Sequence, residues 1–257
     1  MSSTFSKIVL KSGKDQSLKR FHPWVFSGAV KKTFGALNEG DLVKVYSNKD
    51  EFLGLGHYQA GSIAVRIVSF GDIIPDFKFW KQKVRNAWDY RKSMGFSTDG
   101  ETNVFRLIHA EGDGLPGLIV DYYNGTAVMQ MHSAGMYKNR NQIVEALQEV
   151  LGNRLTAVYD KSVKTLPQRT GLEPVDGYLF GNNPFPEVTE NGLKFKINWE
   201  TGQKTGFFID QRENRKLVQE FSGDRSVLNM FGYTGGFSLY ALKIGRASCR
   251  ERVCVGV

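Results

Sequence analysis

Late in the chain an apolar run, SVLNMFG, is followed by the helical pattern FSLYAL, with only YTGG between them. A strand, a glycine turn and a helix in that order open a doubly wound parallel sheet. Glycine in such a turn lets a ligand approach the backbone, and the helix start beyond it presents unpaired N–H groups. The stretch therefore predicts a site for a nucleoside-type cofactor. Two common kinds fit poorly. FGYTGGF does not match G-x-G-x-x-G, and GQKTG lacks the leading glycine of a P-loop. A dinucleotide-dependent oxidoreductase is disfavoured on that spacing.

The rest of the chain divides by pattern. Residues 1–72 are β-rich: DLVKVYS, FLGLGHY and IAVRIVSF alternate or run apolar, with turns at residues 48–50 and 59–62. Short strands with short links predict a small barrel. Residues 73–190 predict a separate α+β domain with a connector. Within it DFKFWKQKVRNAWDYRKSMG reads as a helix with apolar residues at Phe77, Trp80, Val84, Ala87 and Trp88, stopping at Gly95. VFRLIHA, GLIVDYY, TAVMQMHS and AVYDKS read as strands, and residues 136–152 as a helix. Residues 166–190, rich in Pro, Gly and Asn, read as a connecting segment. Glu111 and Asp113 sit in a turn with no partner in view, which argues against an acid/base pair. Residues 191–243 open on the hairpin turn Asn191-Gly192 and continue through LKFKINWE. Asp210 is expected to cap a helix whose apolar face is Leu217, Val218 and Phe221.

Charge adds a partner to this outline. Of the net +8, residues 1–70 carry +5, which suits a surface facing a polyanion. Lys11, Lys14, Lys19 and Arg20 precede His22 and Trp24, and cations beside rings can hold phosphates and stack bases. Phe26 is expected in the core, with Trp24 open between core and surface. A solvated basic face is the plain alternative. Four scattered histidines lack the close spacing of a local zinc motif. No run approaches the roughly 18 apolar residues of a membrane span, and IVL is followed at once by Lys11, so no signal peptide is expected. The expected compartment is cytoplasmic.

Four segments in order carry a more specific signal. HPWVFSGAV, FRLIHAEGDGLPGLIVDYY, KTGFFIDQRENR and VLNMFGYTGGFSLYAL together resemble the class I S-adenosylmethionine-dependent RNA methyltransferases that begin with a PUA domain and modify large-subunit ribosomal RNA. The resemblance spans most of residues 7–243. It implies a PUA-like domain over 1–72, a central α+β domain and connector over 73–190, and the beginning of a Rossmann-like methyltransferase domain over 191–243. It also implies S-adenosylmethionine as cofactor and ribosomal RNA as partner, with cytosine C5 as the target atom and a homodimer left open. Phe231, Tyr233, Thr234, Gly235 and Gly236 would form the turn beneath the methionine portion of the cofactor. Thr205, Gly206, Phe207, Asp210 and Arg212 would wall the same pocket, with Arg212 free to pair with a carboxylate or phosphate. Phe207 and Phe208 are expected to divide between core and pocket.

The end of the sequence changes character. IGRASCRERV looks like a translated sequencing adapter, so residues 244–257 are expected to be a non-native tail, the alternative being a basic extension that contacts RNA. Cys249 and Cys254, the only cysteines, lie in it and follow the turn too closely to supply the family's nucleophile. No catalytic residue is assigned, and the chain is expected to be an inactive, C-terminally truncated piece. An RNA-binding module acting through residues 1–72 is the alternative.

Overall fold

The computed structural model describes residues 5–183, 186–230 and 232–244. Phe231 and the expected tail from residue 245 onward, with both cysteines, lie outside the described residues.

The first domain is one curled sheet built from β1 (Ser6–Leu10), β2 (Trp24–Phe26), β3 (Val30–Phe34), β4 (Leu42–Tyr46), β5 (Phe52–Tyr58) and β6 (Ile63–Ser69), in the order β2-β6-β5-β4-β1-β3. A short helix, α1 (Gln16–Lys19), links β1 to β2. The alternating pattern predicts β4, β5 and β6. It does not predict β3, VKKTF, because four of its five residues face solvent. Ile8, Leu10, Val25, Val43, Val45, Val65 and Ile67 form the core. Phe26 does not join them. It is 50% exposed, because strand alternation around buried Val25 turns both neighbours outward.

The central domain begins with α2 (Phe77–Ser93). The Asp76 carboxylate caps it by accepting from the Phe79 N–H at 2.9 Å, and Gly95 ends the turn beyond it at φ +86°. Five strands follow: β7 (Val104–His109), β8 (Leu118–Tyr123), β9 (Thr126–Met131), β10 (Ala157–Asp160) and β11 (Gly177–Gly181), ordered β11-β10-β9-β8-β7. The helix expected between β9 and β10 forms as two, α3 (Ala134–Lys138) and α4 (Arg140–Leu151), separated at Asn139. β11 lies in the stretch read as connector. As an edge strand with no buried residue it shows too little pattern to stand out among its Gly, Pro and Asn neighbours. Glu111 and Asp113 both have partners. Asp113 forms a buried fork with Arg91 at 2.8 and 2.6 Å, and Glu111 accepts from the Trp24 indole N–H at 2.9 Å. Their role is structural.

Helices α2 and α4 cover one face of this sheet with a large apolar core. Val104, Tyr123, Val128 and Tyr159 on the other face meet the third segment at Phe195, Ile197, Trp199, Phe207 and Tyr240. That segment contains the hairpin β12 (Glu187–Glu190) and β13 (Leu193–Lys196), then α5 (Arg212–Phe221) and α6 (Gly236–Leu242). Asn191 and Gly192 have φ +49° and +76°, as the hairpin turn requires, so strand pairing runs across residue 190.

Three local expectations fail in this segment. Asp210 lies in a single 3-10 turn, and Gln211 occupies the N-cap of α5 without a side-chain cap. Leu217 and Phe221 are exposed, because no described element covers that side of α5. The apolar run at 226–230 makes only isolated bridges at Val227 and Met230, with Leu228 and Met230 about two-thirds exposed. A doubly wound sheet buries such a strand between parallel neighbours, and none stands beside this one among the described residues.

The first two domains are joined by a tight contact. His57 on β5 is buried, stacks on Trp80 of α2 with ring centroids 6.3 Å apart, and lies 3.3 Å from the Asn139 amide through Nε2. Burial, then the Lys138 charge, pushes its pKa down to about 4. A lowered folded pKa means that the unfolded chain takes the proton first. The stabilisation is present above pH 6.5 and is lost as pH falls toward 4, amounting to about 3 kcal/mol. Asp160, raised to about 6 by burial, acts with the opposite sign between its ordinary value of 3.8 and that pH. The His57 contribution should therefore emerge as the difference between wild type and His57→Gln in urea titrations from pH 7 to 4. Parallel pH profiles for the two chains would refute it.

Candidate functional site

The loop containing KTGFF and the YTGG turn come together through one side chain. The Tyr233 hydroxyl accepts from the Gln203 N–H at 2.8 Å and donates to the Gly206 carbonyl at 3.3 Å, while its ring meets Phe208 edge-on at 5.2 Å. Tyr233 itself holds φ +47° and Gly235 φ +70°, which turns the backbone sharply into α6. A Cβ on Gly202 would lie 2.9 Å from the Tyr233 hydroxyl, so this close approach requires glycine.

Other residues expected at the cofactor have different surroundings. Thr205 is buried, and its hydroxyl donates to Asp121 at 2.6 Å and lies 2.9 Å from the Tyr123 hydroxyl, which anchors the loop to β8. Phe207 belongs to the core against Phe195, whereas Phe208 is half-buried beside the turn. Asp210 is exposed and 3.9 Å from Lys204. Arg212 lies over the Phe96 ring at 4.6 Å and pairs with Glu213 at 3.1 Å, so its neighbours are those side chains and not the turn. Thr234, Gly235 and Gly236 occupy the turn, and Phe231 is outside the described residues.

The supports of this site pair residues inside the four segments that carry the resemblance, such as Arg215, Tyr240 and Asp121, with partners the segments do not identify, and two of them, Glu190 and Lys161, lie outside those segments altogether. Arg215 is buried and grips Glu190 with two hydrogen bonds of 2.8 and 2.7 Å, while its third nitrogen donates to the Phe208 carbonyl at 3.0 Å. The Tyr240 hydroxyl donates to the same Glu190 carboxylate at 3.0 Å. A Cβ on Gly236 would sit 3.0 Å from the Arg215 stem, so the start of α6 rests on that side chain. Lys161, 8% exposed, donates to the carbonyls of Trp199 and Gly202 and fixes the loop before Gln203. Desolvation pushes its pKa down. Glu190 and Arg215 are 25 residues apart and Asp121 and Thr205 are 84 apart. Pairs so distant leave no local signal.

The basic residues of the first domain are on the surface, unequally free. Lys14 and Arg20 are exposed, and Lys11 is exposed while donating to the Gly28 carbonyl. Lys19 is held by Asp15 and by Glu51, each at 2.8 Å, and these bonds keep its pKa above the ordinary value. His22 stacks on Phe26 and meets Trp24 edge-on. Trp24 is half-buried. Among the described residues no group of His, Cys, Asp and Glu is placed to hold a metal, and no helix is long and apolar enough to cross a membrane.

A PUA-like β domain joined to a methyltransferase-like α/β fold is the class these features define. Residues 8–70 match the PUA-like domain, and residues 107–253 match the S-adenosylmethionine-dependent methyltransferase family. The chain belongs to that methyltransferase family. Its match continues past residue 244 into the segment expected to be foreign. Ribosomal RNA large subunit methyltransferase I of Pseudoalteromonas translucida is 39% identical over 244 residues, covering 93% of this chain and 61% of the relative. The protein of the same name from Pseudoalteromonas atlantica is 40% identical over 246 residues, covering 95% and 61%. The chain thus spans about three-fifths of the length of these relatives. A candidate SAM-dependent methyltransferase from Streptococcus mutans shares the fold at TM-score 0.77 and 24% identity, over 95% of this chain and 62% of that one. A methyltransferase candidate solved with SAH aligns at TM-score 0.76 and 25% identity, with the same coverage.

Proposed function

We propose that the chain is the RNA-delivering and cofactor-entry part of a cytoplasmic S-adenosylmethionine-dependent methyltransferase that acts on large-subunit ribosomal RNA, with cytosine C5 as the target atom. The observation that carries this reading is the Tyr233 hydroxyl, which joins the KTG loop to the YTGG turn through Gln203 and Gly206. The cofactor supplies an electrophilic methyl group on its sulfonium. Tyr233, Thr234, Gly235 and Gly236 would cradle its methionine portion, where two left-handed residues open the backbone to a ligand. Gly206 and Phe208 would wall the same space. Arg212 has a ring and a carboxylate as neighbours, so its proposed role shifts toward RNA phosphate. The exposed cations Lys11, Lys14 and Arg20, with the His22–Phe26 stack, would hold the RNA.

By itself the 257-residue chain is proposed to be inactive, because the apolar stretch at 226–230 lacks, among the described residues, the strand neighbours that a methyltransferase sheet places beside it. Radiolabelled methyl transfer to ribosomal RNA by the purified chain would overturn that part. Calorimetric titration with S-adenosylhomocysteine should detect binding, weakened about fivefold in Tyr233→Phe through loss of about 1 kcal/mol of hydrogen bonding. Binding of NADH with none of S-adenosylhomocysteine would reject the assignment. The second reading, RNA binding without catalysis, is favoured by the exposed Lys14 and Arg20. It requires salt-dependent RNA binding that Lys14→Glu/Arg20→Glu removes.

A further inference from the structure

A second cleft, of about 600 Å³, opens beside the cofactor turn and belongs to neither the turn nor the first domain. Its floor is the polar part of the central sheet face, where Arg106, Gln130 and Lys161 replace the apolar residues that meet the third segment. Its far wall is the loop 200–204. That wall is fixed from both ends. Lys161 donates to the Trp199 and Gly202 carbonyls, and the Gln203 N–H donates to Tyr233 in the turn.

The lining chemistry is specific. Arg106, Lys161, Lys164 and Lys204 line the cleft against the carboxylates of Asp176 and Glu200. Arg106 is neutralised by buried Asp121 at 2.8 Å. Lys161 spends its donors on carbonyls. Lys164 is exposed and forms no ion pair among the described residues, and Lys204 has the loose contact to Asp210 at 3.9 Å and the Phe208 ring at 4.7 Å. On the floor, Gln130 is nine-tenths buried as a residue and lines the cleft, with no side-chain hydrogen bond to another described residue. Neither amide atom is sealed from solvent, so both are open to a ligand entering the cleft. An amide offers a donor and an acceptor side by side, which matches the edge of a nucleobase. Two ammonium groups at the mouth match a phosphate.

We propose that this cleft receives one nucleotide of a single-stranded RNA segment, its base edge on the Gln130 amide and its phosphate on Lys164 and Lys204. The proposal rests on the RNA methyltransferase reading, because the wall of the cleft is bonded to the cofactor turn. It adds a contact separate from the basic surface of the first domain.

The test is fluorescence anisotropy of a labelled single-stranded RNA of mixed sequence with the whole chain, over a range of salt. Lys164→Gln/Lys204→Gln should weaken binding about tenfold and flatten the slope of log affinity against log salt by about 0.7, since one phosphate charge is no longer neutralised. Gln130→Leu, and Gln130→Met as a variant closer in shape, should weaken binding about fivefold at unchanged slope, because the amide's interaction with the base is not ionic. Wild-type affinity in all of these variants, with binding abolished by Lys14→Glu/Arg20→Glu, overturns the cleft and leaves the functional reading standing. Displacement of the RNA by millimolar inorganic phosphate also overturns it, because a simple anion site would suffice. Absence of RNA binding by the wild-type chain at low salt overturns the functional reading itself.

Discussion

Arg215→Met should free α5 and α6 from the β12–β13 hairpin and destabilise the third segment by about 3–5 kcal/mol. The size follows from what the substitution leaves behind. Glu190 is fully buried, and Arg215 supplies its only cation among the described residues, through two hydrogen bonds. With the guanidinium gone, the carboxylate keeps the Tyr240 hydroxyl and no counter-charge. Pairs such as Lys204–Asp210 and Arg212–Glu213 lie at the surface and contribute about 0–1 kcal/mol. The same substitution keeps a stem beneath Gly236 but removes the donor to the Phe208 carbonyl, so cofactor binding at the turn should fall with stability. Hydrogen exchange of the α5 and α6 amides is the direct readout. The double variant Glu190→Met/Arg215→Met separates charge from shape, because replacing a whole buried pair by apolar residues is often neutral. It should recover most of the protection that the single variant loses. Equal exchange in wild type and Arg215→Met, or a double variant as unprotected as the single, would sink the argument.

What the sequence discloses about this region depends on how far apart the interacting residues lie. The Asn191-Gly192 turn is legible because two adjacent residues must both take positive φ, and Asn-Gly does so readily. The helix after Asp76 is legible for a similar reason: its cap, apolar stripe and stop lie within one run of about twenty residues. The role of Thr205 is not. Its place in the KTG loop suggests a cofactor contact, but its hydroxyl is taken up by Asp121, on a strand that the loop reaches only after folding. Likewise the run at 226–232 has the composition of a central strand, but a strand exists only through its neighbours, and composition cannot supply them. Phe26 shows the limit within a single strand: hydrophobicity places it inside, and alternation around Val25 places it outside. Short motifs disclose the class of the site. Even where a supporting residue such as Arg215 or Asp121 lies within a motif, its partner is 25 or 84 residues away, and that pairing leaves no such mark.

Gly135→Ala should be the most damaging small substitution at the joint between the first two domains, and its cause can be isolated. In a helix, alanine normally gains about 1 kcal/mol over glycine. Here the added methyl would lie 2.0 Å from Cγ of the His57 ring and 2.4 Å from its Cβ. The Trp80 ring, stacked on the imidazole at 6.3 Å, limits how far it can move. Helix α3 would have to move instead, and the Ala134 carbonyl and Gly135 N–H lie against Gly40 of the first domain. At so short a contact overpacking should cost about 3 kcal/mol, the upper end of its usual range, which exceeds the helix gain of about 1 and leaves a net effect of about 2 kcal/mol unfavourable. A chain with several domains does not unfold in one step, so the change should be sought locally, as faster exchange of the α3 and β5 amides. His57→Ala alone should also weaken the joint, by leaving a cavity beside Trp80. In Gly135→Ala/His57→Ala the methyl enters the space that the ring vacates. The pair should then be more stable than the sum of the single effects by about 2 kcal/mol. Simple additivity would mean that the methyl is accommodated elsewhere and that His57 does not set the distance between the domains.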